Sequence, residues 1–144
     1  RWLEALHAWL REELQRYPKL VLLGDFNIAP EDRDSFDPVG LAETIHHTTA
    51  ERDHFKQLLA LGLVDSFRLF EQPEKSYSWW DYRMLGYQKN RGLRIDHILL
   101  SARLASRCTA CAIDRRTTRD VKCDPNHHRS RELCAAPSRR ADAA

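Results

Sequence analysis

Two short motifs place polar side chains at strand-like apolar runs. The first is GDFN at residues 24–27, directly after the apolar run 20–23. If the strand continues, Asp25 and Asn27 share its period of two and point to the same side. A carboxylate binds a hard divalent cation or takes a proton from water, and a carboxamide offers an oxygen to a metal and an N–H to a developing oxyanion. The pair suits hydrolysis of a phosphate ester, and the structural alternative is an Asx turn.

The second motif is RIDHILL at residues 94–100, which puts Asp96 inside an apolar strand over 95–100. A buried carboxylate must be paired, hydrogen-bonded or bound to a metal, because an isolated buried charge is very costly. A partner such as Arg94 would make Asp96 structural. A catalytic histidine held in one tautomer by Asp96 would make it part of a mechanism.

Between the two motifs, residues 77–92 read YSWWDYRMLGYQKNRG and mix aromatic with basic side chains. Such a segment can be plain core, and we expect one of Trp79 and Trp80 to be buried there. It also has what a nucleic-acid groove needs, which is stacking surface beside phosphate contacts.

The flanking elements must position these residues. Apolar spacing predicts a helix over residues 1–17, which Pro18 ends. The run 20–23 is apolar at every position, which predicts a strand in a sheet covered on both faces. Helices alternating with such strands indicate an α/β fold.

A second helix is predicted downstream. Thr48 and Glu51 form a capping box that would start it, and Gly62 has the position of its C′ residue. The following residues 63–70 read as a short strand or turn.

Composition limits the class of protein. The chain has 144 residues, 42% hydrophobic and 31% charged, as in one ordinary globular domain. No apolar run is long enough to span a membrane, and the first residues lack the apolar core of a signal peptide. The sequence begins inside the predicted helix without a Met, so we expect a fragment.

The last part of the sequence has a different character. After about residue 115 the periodicity stops, and residues 115–144 hold eight Lys or Arg against four acids, so we expect a disordered tail over 116–144. All four cysteines lie in the last third: Cys108, Cys111, Cys123 and Cys134. A structural zinc site is one interpretation, and reduced thiols in a cytoplasmic protein are the other.

Over residues 1–115 the sequence resembles the exonuclease III branch of the endonuclease/exonuclease/phosphatase superfamily, the abasic-site DNA-repair nucleases. GDFN is shared across that superfamily, whereas SWWDYR at 78–83 and NRGLRIDHILLS at 90–101 point to the branch. The resemblance implies a DNase I-like four-layered α/β sandwich, of which residues 1–115 would be the second, C-terminal half. It also implies Mg²⁺-dependent hydrolysis, with Mn²⁺ as an alternative, at abasic sites and 3′ ends of double-stranded DNA, by a protein that is monomeric when complete.

The resemblance implies roles for three polar residues. Asp25 would orient or deprotonate the attacking water and protonate the leaving group. Asn27 would stabilise the transition state, and Asp25 and Asn27 would both contribute to metal binding. Asp96 would orient the catalytic histidine.

The resemblance also implies contacts with DNA. Trp79 would form an aromatic wall of the pocket for the baseless sugar, which Leu93 and Ile95 would complete. Arg83 would face the duplex. Lys89 and Arg91 are expected phosphate contacts on the basis of their charge alone.

The sequence departs from the family pattern at both ends. The family's first half supplies a metal-binding glutamate, an asparagine and a tyrosine that have no counterpart here, and its terminal Ser-Asp-His motif is replaced by the sequence of residues 116–144. His127 and His128 lie nearby without that motif, so we expect an aberrant tail and impaired activity. The alternative functions are another superfamily phosphatase or lipid phosphodiesterase, an inactive DNA-binding remnant, and a zinc-stabilised binding module.

Overall fold

The computed structural model describes residues 2–114 and the backbone of residues 131–135. Within these residues the elements are α1 (Trp2–Arg16), β1 (Val21–Asp25), α2 (Thr49–Ala60), β2 (Leu63–Asp65), β3 (Trp79–Trp80), β4 (Gly92–Leu93), β5 (Asp96–Ser101), α3 (Ala102–Ala105), β6 (Ala110–Asp114) and β7 (Arg131–Ala135). Short 3₁₀ turns lie in the loops at Asp32–Asp34, Ser66–Leu69 and Arg83–Leu85. The mixture of helices and strands confirms the predicted α/β class.

The main sheet is antiparallel with the strand order β1–β5–β2. β5 pairs with β1 from Leu100 opposite Val21 to Asp96 opposite Asp25. On its other side β5 pairs with β2. β1 and β5 are the two strands that the apolar runs predict. Two smaller antiparallel pairs, β3 with β4 and β6 with β7, complete the strands of the described residues.

α1 and α2 cover one face of the main sheet. Leu10 of α1, Phe55 and Leu58 of α2, and Leu99 of β5 are almost fully buried in one apolar cluster. Burying each such side chain contributes about 1.5–3 kcal/mol, so this cluster is the main support of the sheet. The predicted first helix is present, and its four leucines recur at helical spacing on the side that meets the sheet: Leu3, Leu6, Leu10 and Leu14. Trp2 and Trp9 of the same helix are exposed.

The ends of α2 are set by the residues that the sequence singles out. The Thr48 side chain accepts the Glu51 N–H, and the Glu51 carboxylate accepts the Thr48 N–H, so the capping box is present. Gly62 follows the helix with φ of 95°, the left-handed backbone that glycine adopts without a Cβ penalty.

The prediction that both faces of β1 are covered is wrong for the part of the chain that the structure describes. Leu22 packs on the helix side, but Val21 is 46% exposed and Leu23 is 67% exposed on the other side. On this second face Ile98 and Leu100 of β5 are buried, and β7 lies against β5. An unbroken apolar run does not show which face of a strand is covered by other elements, so the sequence could not reveal that one face of β1 is open.

The structure also differs from the expectation for the tail at residues 131–135. Residues 131–135, within the segment expected to be disordered, form β7 beside β6, with Cys134 opposite Cys111. The edge of β6 offers backbone N–H and C=O groups that an antiparallel partner satisfies, and this needs no particular side-chain pattern. His127, His128 and Cys123 lie outside the described residues.

Among the described side chains, no three His, Cys, Asp or Glu residues come together as metal ligands, so the zinc-module alternative gains no support there. No helix of the described residues combines the length and the apolar character needed to cross a membrane.

Candidate active site

The sheet register brings Asp25 and Asp96 together. The two residues are direct cross-strand partners at the ends of β1 and β5. The Phe26 N–H donates to the Ile95 carbonyl at 3.0 Å, which makes Asp25 and Asp96 a non-hydrogen-bonded pair of the ladder. In such a pair the Cα atoms are about 4.5 Å apart and the side chains share one face of the sheet. The two carboxylates that the sequence singles out therefore lie side by side.

Asn27 follows Asp25 in a tight turn. Its N–H donates to Asp25 Oδ1 at 2.9 Å, so the Asx turn considered as the structural alternative is present. The turn gives Asn27 a left-handed φ of 55° and leaves its side chain exposed. It also fixes the orientation of the Asp25 carboxylate, which is compatible with a catalytic role as well as a structural one.

His46 holds the same turn from a distant loop. Its Nδ1 lies 2.7 Å from the Asn27 carbonyl oxygen. A carbonyl only accepts hydrogen bonds, so Nδ1 carries the proton. The His46 carbonyl in turn accepts the Ala29 N–H at 2.9 Å, and the imidazole lies 6.4 Å from the Trp79 ring, centroid to centroid.

Ser78 positions the start of β5. Its fully buried hydroxyl oxygen accepts the N–H groups of both Ile95 and Asp96, each at 3.1 Å. These contacts bridge the break between β4 and β5, where the sheet ladder is interrupted. The backbone of Asp96 is thus fixed by the residue next to Trp79.

Arg94, the structural partner that the sequence suggested for Asp96, forms its ion pairs with Asp34 and Asp65. Nε lies 2.7 Å from Asp34 Oδ1, and Nη2 lies 2.7 Å from Asp65 Oδ2. Arg68 also binds Asp34. Burial alone would raise the pKa of Asp34. The charge and hydrogen bond of Arg94 and the charge of Arg68 lower that pKa by more, so the net shift is downward. Burial lowers the pKa of Arg94, and the two carboxylates raise it by more. We call Arg68, Arg94, Asp34 and Asp65 the buried ionic cluster.

A largely apolar cavity of about 600 Å³ opens beside Trp79. Trp79 of β3 pairs with Leu93 of β4, and both side chains line the cavity. Ile95, which the resemblance placed in the same pocket, is only 1% exposed and packs beneath Leu93 and Ala29 instead. Trp80 is the buried tryptophan of the pair, as predicted. Further lining residues are Phe36, Leu41, Ile45, His46, Arg83 and Arg91.

Three basic residues were expected at the DNA. Arg83 is exposed at the cavity and forms an ion pair with Asp81 at 2.8 Å. Arg91 lines the cavity with its guanidinium carbon 5.5 Å from the centre of the Phe36 ring. Lys89 is exposed but is not among the residues that line the cavity.

Sequence reasoning did not assign roles to Ser78 and His46. Ser78 lies within the SWWDYR motif, but only the fold shows that it receives the Asp96 N–H. His46 lies in a loop without periodicity, and no sequence signal links it to Asn27. Both residues act on the backbone of another segment, which a local pattern does not reveal.

The sequence matches a known protein family. A profile of the endonuclease/exonuclease/phosphatase family matches residues 1–117. The chain belongs to this family. It is 36% identical over 119 residues to exodeoxyribonuclease III of Haemophilus influenzae, a match that covers 75% of the chain and 43% of that relative.

Solved structures give the same result for the fold. A 3′ phosphatase from Neisseria, solved bound to a product DNA hairpin, has a TM-score of 0.87 and 39% identity to this chain, covering 95% of the chain and 52% of that structure. An AP endonuclease from Archaeoglobus fulgidus has a TM-score of 0.85 and 29% identity, with coverages of 95% and 52%. The family and the DNase I-like α/β fold implied by the sequence motifs are therefore confirmed. The chain spans about half the length of the relatives it matches.

Proposed function

We propose that this chain carries one half of the active site of a DNA-repair nuclease of the exodeoxyribonuclease III type. The reaction would be hydrolysis of phosphate ester bonds in duplex DNA, at abasic sites and at 3′ ends. The observation that carries the proposal is the cross-strand pair of Asp25 and Asp96. His46 links this pair to the cavity walled by Trp79 and Leu93, because it lines the cavity and also holds the Asn27 turn. The matches to an exodeoxyribonuclease III and to a 3′ phosphatase support the substrate class.

The donor set of this site fits Mg²⁺. Asp25 and Asn27 offer hard oxygen ligands, and Mg²⁺ typically takes one or two protein carboxylates together with water and substrate phosphate. Like charges directly opposite one another in a sheet are destabilising, so a divalent cation near Asp25 and Asp96 would also stabilise the fold there. When bound, the ion would neutralise phosphate charge and help to form the attacking hydroxide. Mn²⁺ accepts similar oxygen ligands.

Asp25 is positioned for proton transfer. The Asn27 N–H binds Oδ1 of Asp25, which holds the half-buried carboxylate in one orientation at the end of β1. In the proposed reaction Asp25 takes a proton from the attacking water and returns one to the leaving oxygen. The exposed Asn27 carboxamide donates N–H to the charge that develops on the phosphoryl oxygens. Asp96 accepts an N–H from a histidine that it holds in one tautomer.

The cavity is suited to a sugar that has lost its base. Such a sugar lacks the flat base and its hydrogen-bonding edges, and the CH groups of its ring can pack on the apolar walls that the Trp79 and Leu93 side chains offer. Arg83 and Arg91 at the same cavity are suited to the flanking phosphates, which position DNA without reading its sequence.

The metal-binding glutamate, the asparagine and the tyrosine would come from polypeptide that corresponds to the first half of the family fold, and the histidine from the family's terminal Ser-Asp-His motif. The exposed Val21 and Leu23 side chains form an apolar strip that such a half would cover. The proposal therefore assigns residues 1–115 to the C-terminal half and predicts that this half alone turns over DNA poorly, because removing part of a site that acts as a unit loses most of the rate.

A restored protein tests this function. Residues 1–115 are joined to the segments of the Haemophilus influenzae relative that lie outside the match, and the intact relative serves as the positive control. The substrates are a duplex with an abasic-site analogue, a duplex with a 3′ phosphate, and a phosphoinositide, each with Mg²⁺ or with EDTA. We expect Mg²⁺-dependent cleavage of the two DNA substrates and none of the lipid. Preferential cleavage of the phosphoinositide would contradict the proposal and favour the phosphatase alternative.

A further inference from the structure

The Asn27 turn has an unfavourable backbone conformation that its surroundings must stabilise. Asn27 adopts φ of 55°, and a non-glycine residue in this region persists only where the neighbouring structure holds it. Two successive carbonyl groups of the turn each accept a hydrogen bond from an imidazole N–H. His46 donates to the Asn27 carbonyl, and His97 Nε2 donates to the Ile28 carbonyl at 2.9 Å.

His97 is the more deeply buried of the two histidines. It lies on β5 directly after Asp96, opposite Gly24 of β1, and is 1% exposed. Its ring contacts Phe55 at 4.6 Å and Phe26 at 5.5 Å between ring centroids.

The choice of a histidine at this position is informative. Within the described residues His97 Nδ1 is buried without a hydrogen-bond partner, which is costly for a polar atom. An apolar side chain of similar size would fill the space between Phe26 and Phe55 without that cost. What an apolar side chain cannot supply is the N–H that the buried Ile28 carbonyl accepts. The hydrogen bond to the loop is therefore the feature that the imidazole adds.

We propose that His97 is a positioning residue that holds the Asn27 turn in place from the helix side of the sheet. Asp96 and His97 are neighbours on β5 with side chains on opposite faces, so one strand would carry an active-site acid and the anchor of the loop that bears Asn27. The catalytic meaning of this anchor rests on the proposed function, whereas the positioning itself does not.

The protonation state of His97 agrees with this role. Burial, and then the charge of Arg94, lower its pKa to about 4, although Asp65, the bond to Ile28 and Asp34 act in the opposite direction. Near neutral pH the ring is therefore neutral. Its single proton must be on Nε2, because the Ile28 carbonyl accepts from that atom.

Hydrogen exchange in the ¹⁵N-labelled 144-residue chain tests the anchor. His97→Leu removes the donor, His97→Gln keeps an N–H at a similar reach, and His7→Leu on α1 controls for loss of a histidine elsewhere. The reporter is the buried Ala29 N–H in the turn, and the reference is the Leu99 N–H in β5. We expect His97→Leu to speed exchange at Ala29 by about tenfold relative to Leu99, the effect of losing one hydrogen bond, and His97→Gln to stay near the parent chain.

Two results would overturn the inference. One is a His97→Leu protein in which Ala29 and Leu99 change by the same factor, which would make His97 a core residue only. The other, available from the unmodified chain if the variant does not fold, is an imidazole ¹⁵N spectrum that places the His97 proton on Nδ1. In the restored nuclease, a loosened turn with unchanged turnover would support the anchor and would count against the assigned role of Asn27.

Discussion

Replacing Arg94 by leucine removes one of the two cations of the buried ionic cluster, the one that binds both Asp34 and Asp65, and keeps an apolar side chain there. Arg94 and Asp34 have side chains only 1% exposed, and that of Asp65 is 7% exposed. The shortest Arg94 contact with each carboxylate is a charge-assisted hydrogen bond of 2.7 Å, the length of strong bonds of this kind. The substitution leaves two buried carboxylates without their shared partner.

The expected loss of stability follows from what remains. Breaking a buried ion pair by removing one partner costs about 3–5 kcal/mol. Arg94 pairs with two carboxylates, but each of them keeps another partner: Asp34 keeps its ion pair with Arg68, and Asp65 keeps the hydrogen bond from the Phe67 N–H. The loss of stability should therefore stay within the range for one broken pair. A domain of this size is stable by only about 5–15 kcal/mol, so the effect is a large share of the total.

Urea unfolding of the 144-residue chain at pH 7, followed by circular dichroism, measures this loss. The matched control is Arg33→Leu, which breaks the exposed pair with Glu31 and should cost no more than about 1 kcal/mol. The lowered pKa of Asp34 contributes stability above its unfolded pKa, and this contribution disappears as the pH falls through the folded pKa. The gap between parent and Arg94→Leu should therefore narrow as the pH falls below 3.8, the unfolded pKa of an aspartate. A loss no larger than that of the control, at every pH, would refute this view of the cluster.

Three further predictions concern His97, Trp79 and Leu23. The pKa of His97 falls from 6.5 to about 4 on folding, so between these pH values the unfolded chain binds a proton that the folded chain does not. The parent chain should therefore lose about 3 kcal/mol of its free energy of unfolding as the pH falls from 6.5 to 4. His97→Gln should flatten that part of the urea-derived stability curve, and an unchanged slope would contradict the assignment. In the restored nuclease, Trp79→Ala should reduce abasic-site incision more than removal of a 3′ phosphate, whereas equal losses would argue against a sugar pocket at Trp79. Leu23→Lys on the exposed strip should lower dye binding and aggregation of the chain without lowering its unfolding midpoint, and strong destabilisation would show that Leu23 is covered.

Local signals in the sequence predicted the elements that carry the site. Helical spacing gave α1, the capping box at Thr48 and Glu51 gave the start of α2, and the apolar runs gave β1 and β5. These features depend on residues close in sequence, so they can be read without the fold. An exposed apolar sheet face is expected of half a sandwich, but the sequence could not show which face of β1 is open, because Val21 and Leu23 are as apolar as Leu22 on the helix side.

For the candidate site, too, the residue types could be predicted from the sequence but their arrangement could not. Asp25 and Asn27 were identifiable as candidates from residue type after a strand, and Asp96 as an acid inside an apolar run. Their arrangement depends on the β1–β5 register, and a shift by one residue would turn one of the two acids to the other face. The contacts from Ser78 and His46 join segments distant in sequence, so only the folded chain reveals them.

Asp25→Asn in the restored nuclease is the most direct test of the central claim that the GDFN turn performs the chemistry. The asparagine Oδ1 can still accept the Asn27 N–H, so the turn is kept while the proton acceptor and the charge are lost. The matched control is Asp53→Asn on α2, where the acid forms an exposed pair with Lys56. Steady-state turnover on a 3′-phosphate duplex should fall by roughly 10²–10⁴-fold, as for loss of a general acid–base, with DNA affinity nearly unchanged and the control unaffected. Near-normal turnover of Asp25→Asn would contradict the account and leave the Asx turn as the only role of Asp25.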